Sequence, residues 1–73
     1  MRTTIKSILK AVGDSRLSMW RCKDGYFVVE FEDRTYWSSK SIYVNRLRDM
    51  SFHGWVQSLR NLRDDFDREL AEF

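Results

Sequence analysis

One histidine, one cysteine and eleven carboxylates are the groups in this 73-residue chain that could move a proton, attack an electrophile or hold a metal. His53 as a general base would need an orienting acid and a reacting group within hydrogen-bond reach. It follows Phe52 at the start of an expected helix, where the helix dipole disfavours an imidazolium. Cys22 as a nucleophile would need a nearby base and an electropositive opening. A hairpin reading turns it to the inner strand face with Arg21 and Lys23 directed the other way, so it is expected to pack as a small apolar residue. One His and one Cys cannot complete a four-ligand metal site. Glu30 and Glu32 alternate with Phe31 along one strand face, and Arg21 is expected near Glu30 across the hairpin. Asp64, Asp65, Asp67 and Glu69 interleave with Arg60, Arg63 and Arg68, the pattern of a solvated helix face with pairs such as Arg60–Asp64 and Asp64–Arg68. There is no glycine-rich phosphate loop and no Ser-His-Asp spacing. The chain therefore reads as non-enzymatic, with no catalytic residue, metal ligand or cofactor expected.

What remains is recognition chemistry. Seven of the eleven aromatic residues fall between Leu17 and Val44, interleaved with Arg and Lys. Arg21, Lys23, Tyr26, Trp37 and Lys40 are expected to share a mixed sheet face or its rim, with Met19 and Val28 among them. Aromatic rings and Arg on a flat surface are the composition of a protein-binding hot spot. They also suit a surface that stacks bases and neutralises phosphates. The competing expectation is that the first helix covers this face through Ile5, Ile8, Leu9 and Val12. A second basic set, Arg34, Lys40, Arg46 and Arg48 near Tyr36 and Trp37, is diluted by Asp33 and Asp49 and lacks the density of a basic arm.

The elements that would position these residues follow from local signals. Ile5, Ile8, Leu9 and Val12 recur at helical spacing, with Thr3 or Thr4 to cap the start and Gly13 to end it, which predicts a helix over 4–12. Asp24-Gly25 between two extended runs predicts strands near 16–23 and 26–32 joined by a two-residue loop. That register pairs Trp20 with Val29 and Cys22 with Phe27, giving an inner face of Phe27, Val29, Phe31, Trp20 and Cys22. Its outer face is then Leu17, Met19, Arg21, Tyr26, Val28, Glu30 and Glu32. A second turn at Asp33-Arg34 predicts a third strand beginning near Thr35, with Tyr36 inward and Trp37 outward. Ser38-Ser39-Lys40-Ser41 could interrupt it, start a helix or lie on an exposed edge. A strand resuming through Val44 with a short irregular or helical link to Met50 is expected, although Tyr43, Leu47 and Met50 also fit a helical face. Phe52, Trp55, Leu59, Leu62, Phe66, Leu70 and Phe73 mark a long amphipathic helix. Ser51 is its N-cap, and Met50 with Trp55 matches a hydrophobic staple. Gly54 is expected to avoid a clash with a neighbouring element. At 1.5 Å per residue this helix is about 33 Å long, whereas a six-residue strand spans about 20 Å. Part of the stripe is thus expected to overhang, with Leu62, Phe66, Leu70 and Phe73 pairing two copies into a homodimer.

The fold class expected is α+β: a small three-stranded antiparallel sheet with an N-terminal helix and a long C-terminal amphipathic helix, in one domain over 1–73. A chain this short has a small core, and with one cysteine no intrachain disulfide supports it, which points to a reducing cytoplasmic compartment. No run of apolar residues is long enough for a membrane span, and the N-terminus lacks a signal-peptide apolar stretch. The chain carries a net charge of +2, with Arg2, Lys6, Lys10, Arg16, Arg21 and Lys23 against Asp14 alone in the first 23 residues. In size and in its helix–hairpin–strand–helix layout the chain resembles small phage-encoded host-takeover and anti-defence proteins. On layout alone, the resemblance implies a protein that inhibits or adapts a larger partner by occluding it, in the host cytoplasm. The runner-up is a nucleic-acid-binding domain with Arg16, Arg21, Lys23, Arg34 and Lys40 as contacts.

Overall fold

A computed structural model describes residues 3–72. Helix α1 (Ile5–Val12) is followed by strands β1 (Leu17–Arg21), β2 (Phe27–Glu32) and β3 (Trp37–Ile42), a 3-10 turn at Leu47–Asp49 and helix α2 (Phe52–Glu72). The strands form an antiparallel sheet in the order β1-β2-β3, so the expected α+β fold stands.

The helix ends are set by local chemistry. The Thr4 hydroxyl accepts from the Ser7 amide at 3.0 Å, and Ser7 Oγ accepts from the Thr4 amide at 3.1 Å. This reciprocal cap satisfies two amides that no helical carbonyl can reach. Gly13 ends α1 at φ 75°, in the left-handed region. At the start of α2, Ser51 Oγ accepts from the Gly54 amide at 3.0 Å. A Cβ on Gly54 would lie 2.9 Å from Met50 Cγ and 3.1 Å from Ser51 Oγ. The close neighbour is thus the cap itself, not another element as expected.

The first hairpin departs from expectation by one residue. Cys22 donates its amide to the Tyr26 carbonyl at 2.8 Å, and Gly25 donates to the Cys22 carbonyl at 3.1 Å. The loop is therefore Lys23-Asp24-Gly25, three residues rather than two, with Gly25 at φ 87°. Arg21 now faces Phe27, Met19 faces Val29 and Leu17 faces Phe31. Because side chains alternate along a strand, a one-residue change in pairing turns β1 over relative to β2. Leu17 and Met19 point into the core, and Trp20 and Cys22 point out, the reverse of expectation. Phe27, Val29 and Phe31 remain inward.

The second turn also shifts, without the same effect. Asp33 donates to the Tyr36 carbonyl at 2.8 Å, so Arg34-Thr35 is the loop in place of Asp33-Arg34. Both flanks move together, pairing changes by two residues, and the faces are kept: Tyr36 inward, Trp37 outward.

Both helices lie on one side of the sheet and share its core. Ile8 and Val12 of α1 are buried with Leu17, Met19, Phe27, Val29 and Phe31 of the sheet and Trp55, Val56, Leu59 and Phe66 of α2. Helix α1 therefore does not cover the opposite sheet face. Helix α2 runs along β2: Trp55 meets Phe27 edge-on at 5.0 Å, and Phe66 stacks on Phe31 at 5.1 Å. Eleven helical residues rise about 16 Å and four strand residues about 13 Å, so the two elements stay nearly aligned. The Trp55 indole donates to the Leu47 carbonyl at 2.7 Å, which satisfies the polar atom of a fully buried ring. No helix among the described residues is long and apolar enough to cross a membrane.

Candidate partner-binding face

Among the described residues, no helix covers the sheet surface opposite the core, and this face is bare. Strand alternation and register place four rows of side chains on it. Cys22, Tyr26 and Tyr43 form one end. Trp20, Val28 and Ser41 follow, then Ser18, Glu30 and Ser39. Glu32 and Trp37 form the other end. Trp20 is 42% exposed, Trp37 60% and Tyr43 84%. Tyr26 and Tyr43 rings lie 5.6 Å apart. The Cys22 thiol beside it holds the Tyr26 phenol above its ordinary value. A hollow of about 480 Å³ opens at the Trp37 end, lined in part by Ser18, Glu30, Glu32 and Arg34. The surface is thus aromatic and acidic rather than aromatic and basic.

The expected site residues are divided by this geometry. Tyr26 and Trp37 lie on the bare face as expected. Lys23 sits exposed in the hairpin loop at its margin. Arg21 alternates to the helix side, where its guanidinium donates to the Asn45 backbone carbonyl at 2.8 Å and to Asn45 Oδ1 at 2.9 Å. It ties the hairpin tip to the segment after β3 and does not meet Glu30, whose side chain lies on the opposite face. Lys40 also turns to the helix side. It donates to Glu69 at 2.8 Å, and its ammonium lies 5.4 Å from the centre of the Phe66 ring. The Tyr36 hydroxyl donates to the other Glu69 oxygen at 2.8 Å. Lys40 and Tyr36 hold the Glu69 carboxyl below its ordinary value, and the Glu69 carboxylate in turn holds the Lys40 ammonium above its own. Lys40 is therefore part of the α2 seat rather than of the bare face. Trp20 is the residue the expected set lacks; the three-residue alternative for the hairpin loop would have found it.

Arg16, expected as a nucleic-acid contact, is the hub of a network. Its guanidinium binds Asp14 at 2.7 Å and Asp67 at 3.0 Å, with Asp33 at 3.9 Å. It also lies 4.7 Å from the centre of the Phe31 ring. One side chain thus joins the α1–β1 loop, the β2–β3 turn and α2. The hydrogen bonds from Arg16 hold Asp14 below its ordinary carboxyl value.

The helix residues expected to pair two copies are largely occupied. Phe66 is fully buried, and Leu62 and Leu70 pack against the core. Phe73 lies outside the described residues. This part of the helix is held by side chains of the sheet and its loops: Tyr36 and Lys40 bind Glu69, and Arg16 binds Asp67. The expected helix-surface pairs are replaced too. Arg60 donates to the Ala11 carbonyl at the end of α1 at 3.4 Å, Arg63 pairs with Asp64, and Arg68 pairs with Asp65. His53 is exposed at the start of α2.

No family model matches this chain, and no curated protein or solved structure is significantly similar to it.

Proposed function

We propose that this protein is a non-enzymatic binding module that covers a surface of a larger protein partner with its bare sheet face. The observation that carries the reading is the exposure of Trp20, Trp37 and Tyr43 on one side of a sheet whose helices all lie on the other. Exposed rings of this size in one surface are costly unless a partner covers them. Trp and Tyr at the centre of a flat patch are the residues that dominate binding energy in protein interfaces. Glu30 and Glu32 beside them suit a partner patch that is apolar and carries Lys or Arg. In keeping with the layout resemblance, the mode of action is occlusion: an inhibitor or adaptor of the phage host-takeover or anti-defence kind, working in the host cytoplasm.

The nucleic-acid reading has less support. Arg16, Arg21 and Lys40 are engaged within the chain, and the bare face presents carboxylates where phosphates would lie.

The test is affinity capture from bacterial lysate with the wild-type chain beside a Trp20→Ala/Trp37→Ala variant and a Glu30→Lys/Glu32→Lys variant. One stoichiometric protein retained by the wild type and lost from both variants is expected, with no retention of duplex DNA at low salt. Absence of any stoichiometric protein, or equal capture by all three chains, rejects the proposal.

A further inference from the structure

Strand β3 ends the sheet, and among the described residues no strand pairs with its outer edge. In an antiparallel ladder only alternate residues bond to a given neighbour. The Asp33–Tyr36 bond sets the phase, so Tyr36, Ser38, Lys40 and Ile42 face β2. The backbone N–H and C=O groups of Trp37, Ser39 and Ser41 then point away from the sheet. Natural edge strands are usually guarded by an exposed charge, a proline or a bulge. Lys40 is the one charge in β3, and it is folded under the sheet onto Glu69. The β2–β3 register runs without interruption over all six residues of β3, so no bulge intervenes, and the chain contains no proline. The other edge, β1, is less available at its start, where the Leu17 amide is bound by the Asp14 carbonyl.

We infer that the β3 edge pairs with the β3 edge of a second copy, antiparallel about a two-fold axis at Ser39, to make a continuous six-stranded sheet. The occupant is identified by the strand's complementarity to itself. With Ser39 facing Ser39 of the second copy, Trp37 faces Ser41. A large ring thus meets a small side chain. By symmetry this happens twice, and it shields one flank of Trp37, 60% exposed, while the ring's outer surface stays on the bare face. On the helix side Lys40 faces Ser38, so no like charges oppose each other. The outward backbone groups of Trp37, Ser39 and Ser41 meet their counterparts in phase. This pairing does not use the expected contact through α2.

Light scattering on the full chain at high micromolar concentration tests it. The wild type should show twice the chain mass. Ser39→Pro removes an amide that faces away from β2, a substitution edge strands tolerate, and should show the single-chain mass with an unchanged circular dichroism spectrum. Should that variant fail to fold, Ser39→Lys in a Glu30→Gln background decides, because Glu30 pairs with Ser39 within the chain and would otherwise neutralise the lysine, whereas without it two like charges oppose each other across the axis. Leu70→Gln and Trp20→Ala should leave the dimer intact. A wild type of single-chain mass overturns the inference, as does a dimer that survives Ser39→Lys in that background or that is lost in Leu70→Gln. The Trp20→Ala arm keeps this result separate from the partner-binding reading, which can fail while the dimer stands.

Discussion

Among single residues, Arg16 holds the most distant parts of the chain together. Its three carboxylate partners come from a loop, a turn and a helix, and its aliphatic stem leaves the guanidinium over Phe31. The side chain is partly exposed, so its value lies in joining three elements rather than in one strong pair. Its influence has a definite sign with pH. Asp14 has its folded-state pKa depressed below the ordinary 3.8, so the associated stability is present above that value and fades as pH falls through the lower folded one. Glu69, also depressed, adds to stability in the same direction. Urea unfolding as a function of pH should therefore show the wild type losing stability on acidification below the ordinary carboxyl range. Arg16→Gln should lose part of that dependence while remaining folded at neutral pH. An identical acid profile for the two chains would show that the network contributes nothing. Arg16 carries no signal of this role in the sequence: its neighbours Asp33 and Asp67 are distant along the chain, and only the fold brings them to it.

At the scale of elements, the decisive quantity is the length of one hairpin loop. The Asp24-Gly25 pair suits a two-residue loop, and Gly25 also suits the last position of a three-residue loop, where the chain turns left-handed after a tight turn. Both readings use the same glycine. They differ in which face of β1 is buried. The three-residue loop puts Met19 at 6% exposure and Trp20 at 42%. Met19→Ala should therefore cost about 2–5 kcal/mol of stability, as for a buried large-to-small change. Trp20→Ala should cost under about 1 kcal/mol, as for a surface position. Chemical denaturation of the two variants reads the register directly, and the reverse order would restore the two-residue loop. The second turn illustrates why only some errors matter. Moving the loop from Asp33-Arg34 to Arg34-Thr35 shifts pairing by two residues, and Tyr36 and Trp37 keep their sides.

For the molecule as a whole, the arrangement is lopsided: two helices and one core on one side of the sheet, a bare aromatic and acidic surface on the other. The three tryptophans report on the two sides separately. Trp55 is fully buried, whereas Trp20 and Trp37 are exposed. Single-tryptophan variants with the other two positions changed to Phe should show acrylamide quenching of Trp20 and Trp37 several-fold stronger than that of Trp55. Equal quenching would mean that the sheet face is covered in solution. A quenching of Trp37 that falls with rising protein concentration, with Trp20 unaffected, would accord with pairing at the β3 edge.

The elements of this protein are written in its local sequence. Helical spacing of apolar residues, Thr4 and Ser51 as caps, Gly13 as a terminator and Asp24-Gly25 as a reversal are decided within a few residues, because they depend on backbone angles and near-neighbour hydrogen bonds. Which rings meet solvent was decided only in three dimensions. The apolar stripe of α1 fits either side of a sheet that offers aromatic residues on both, and its side was settled by the core it shares with α2. The face of β1 followed from the parity of its pairing, which packing of Leu17 and Met19 beneath the helices selects over Trp20 and Cys22. The same parity carries Arg21 to the helix side, and alternation from Tyr36 carries Lys40 there, where they meet Asn45 and Glu69, partners remote in sequence that are brought close only once the chain has folded.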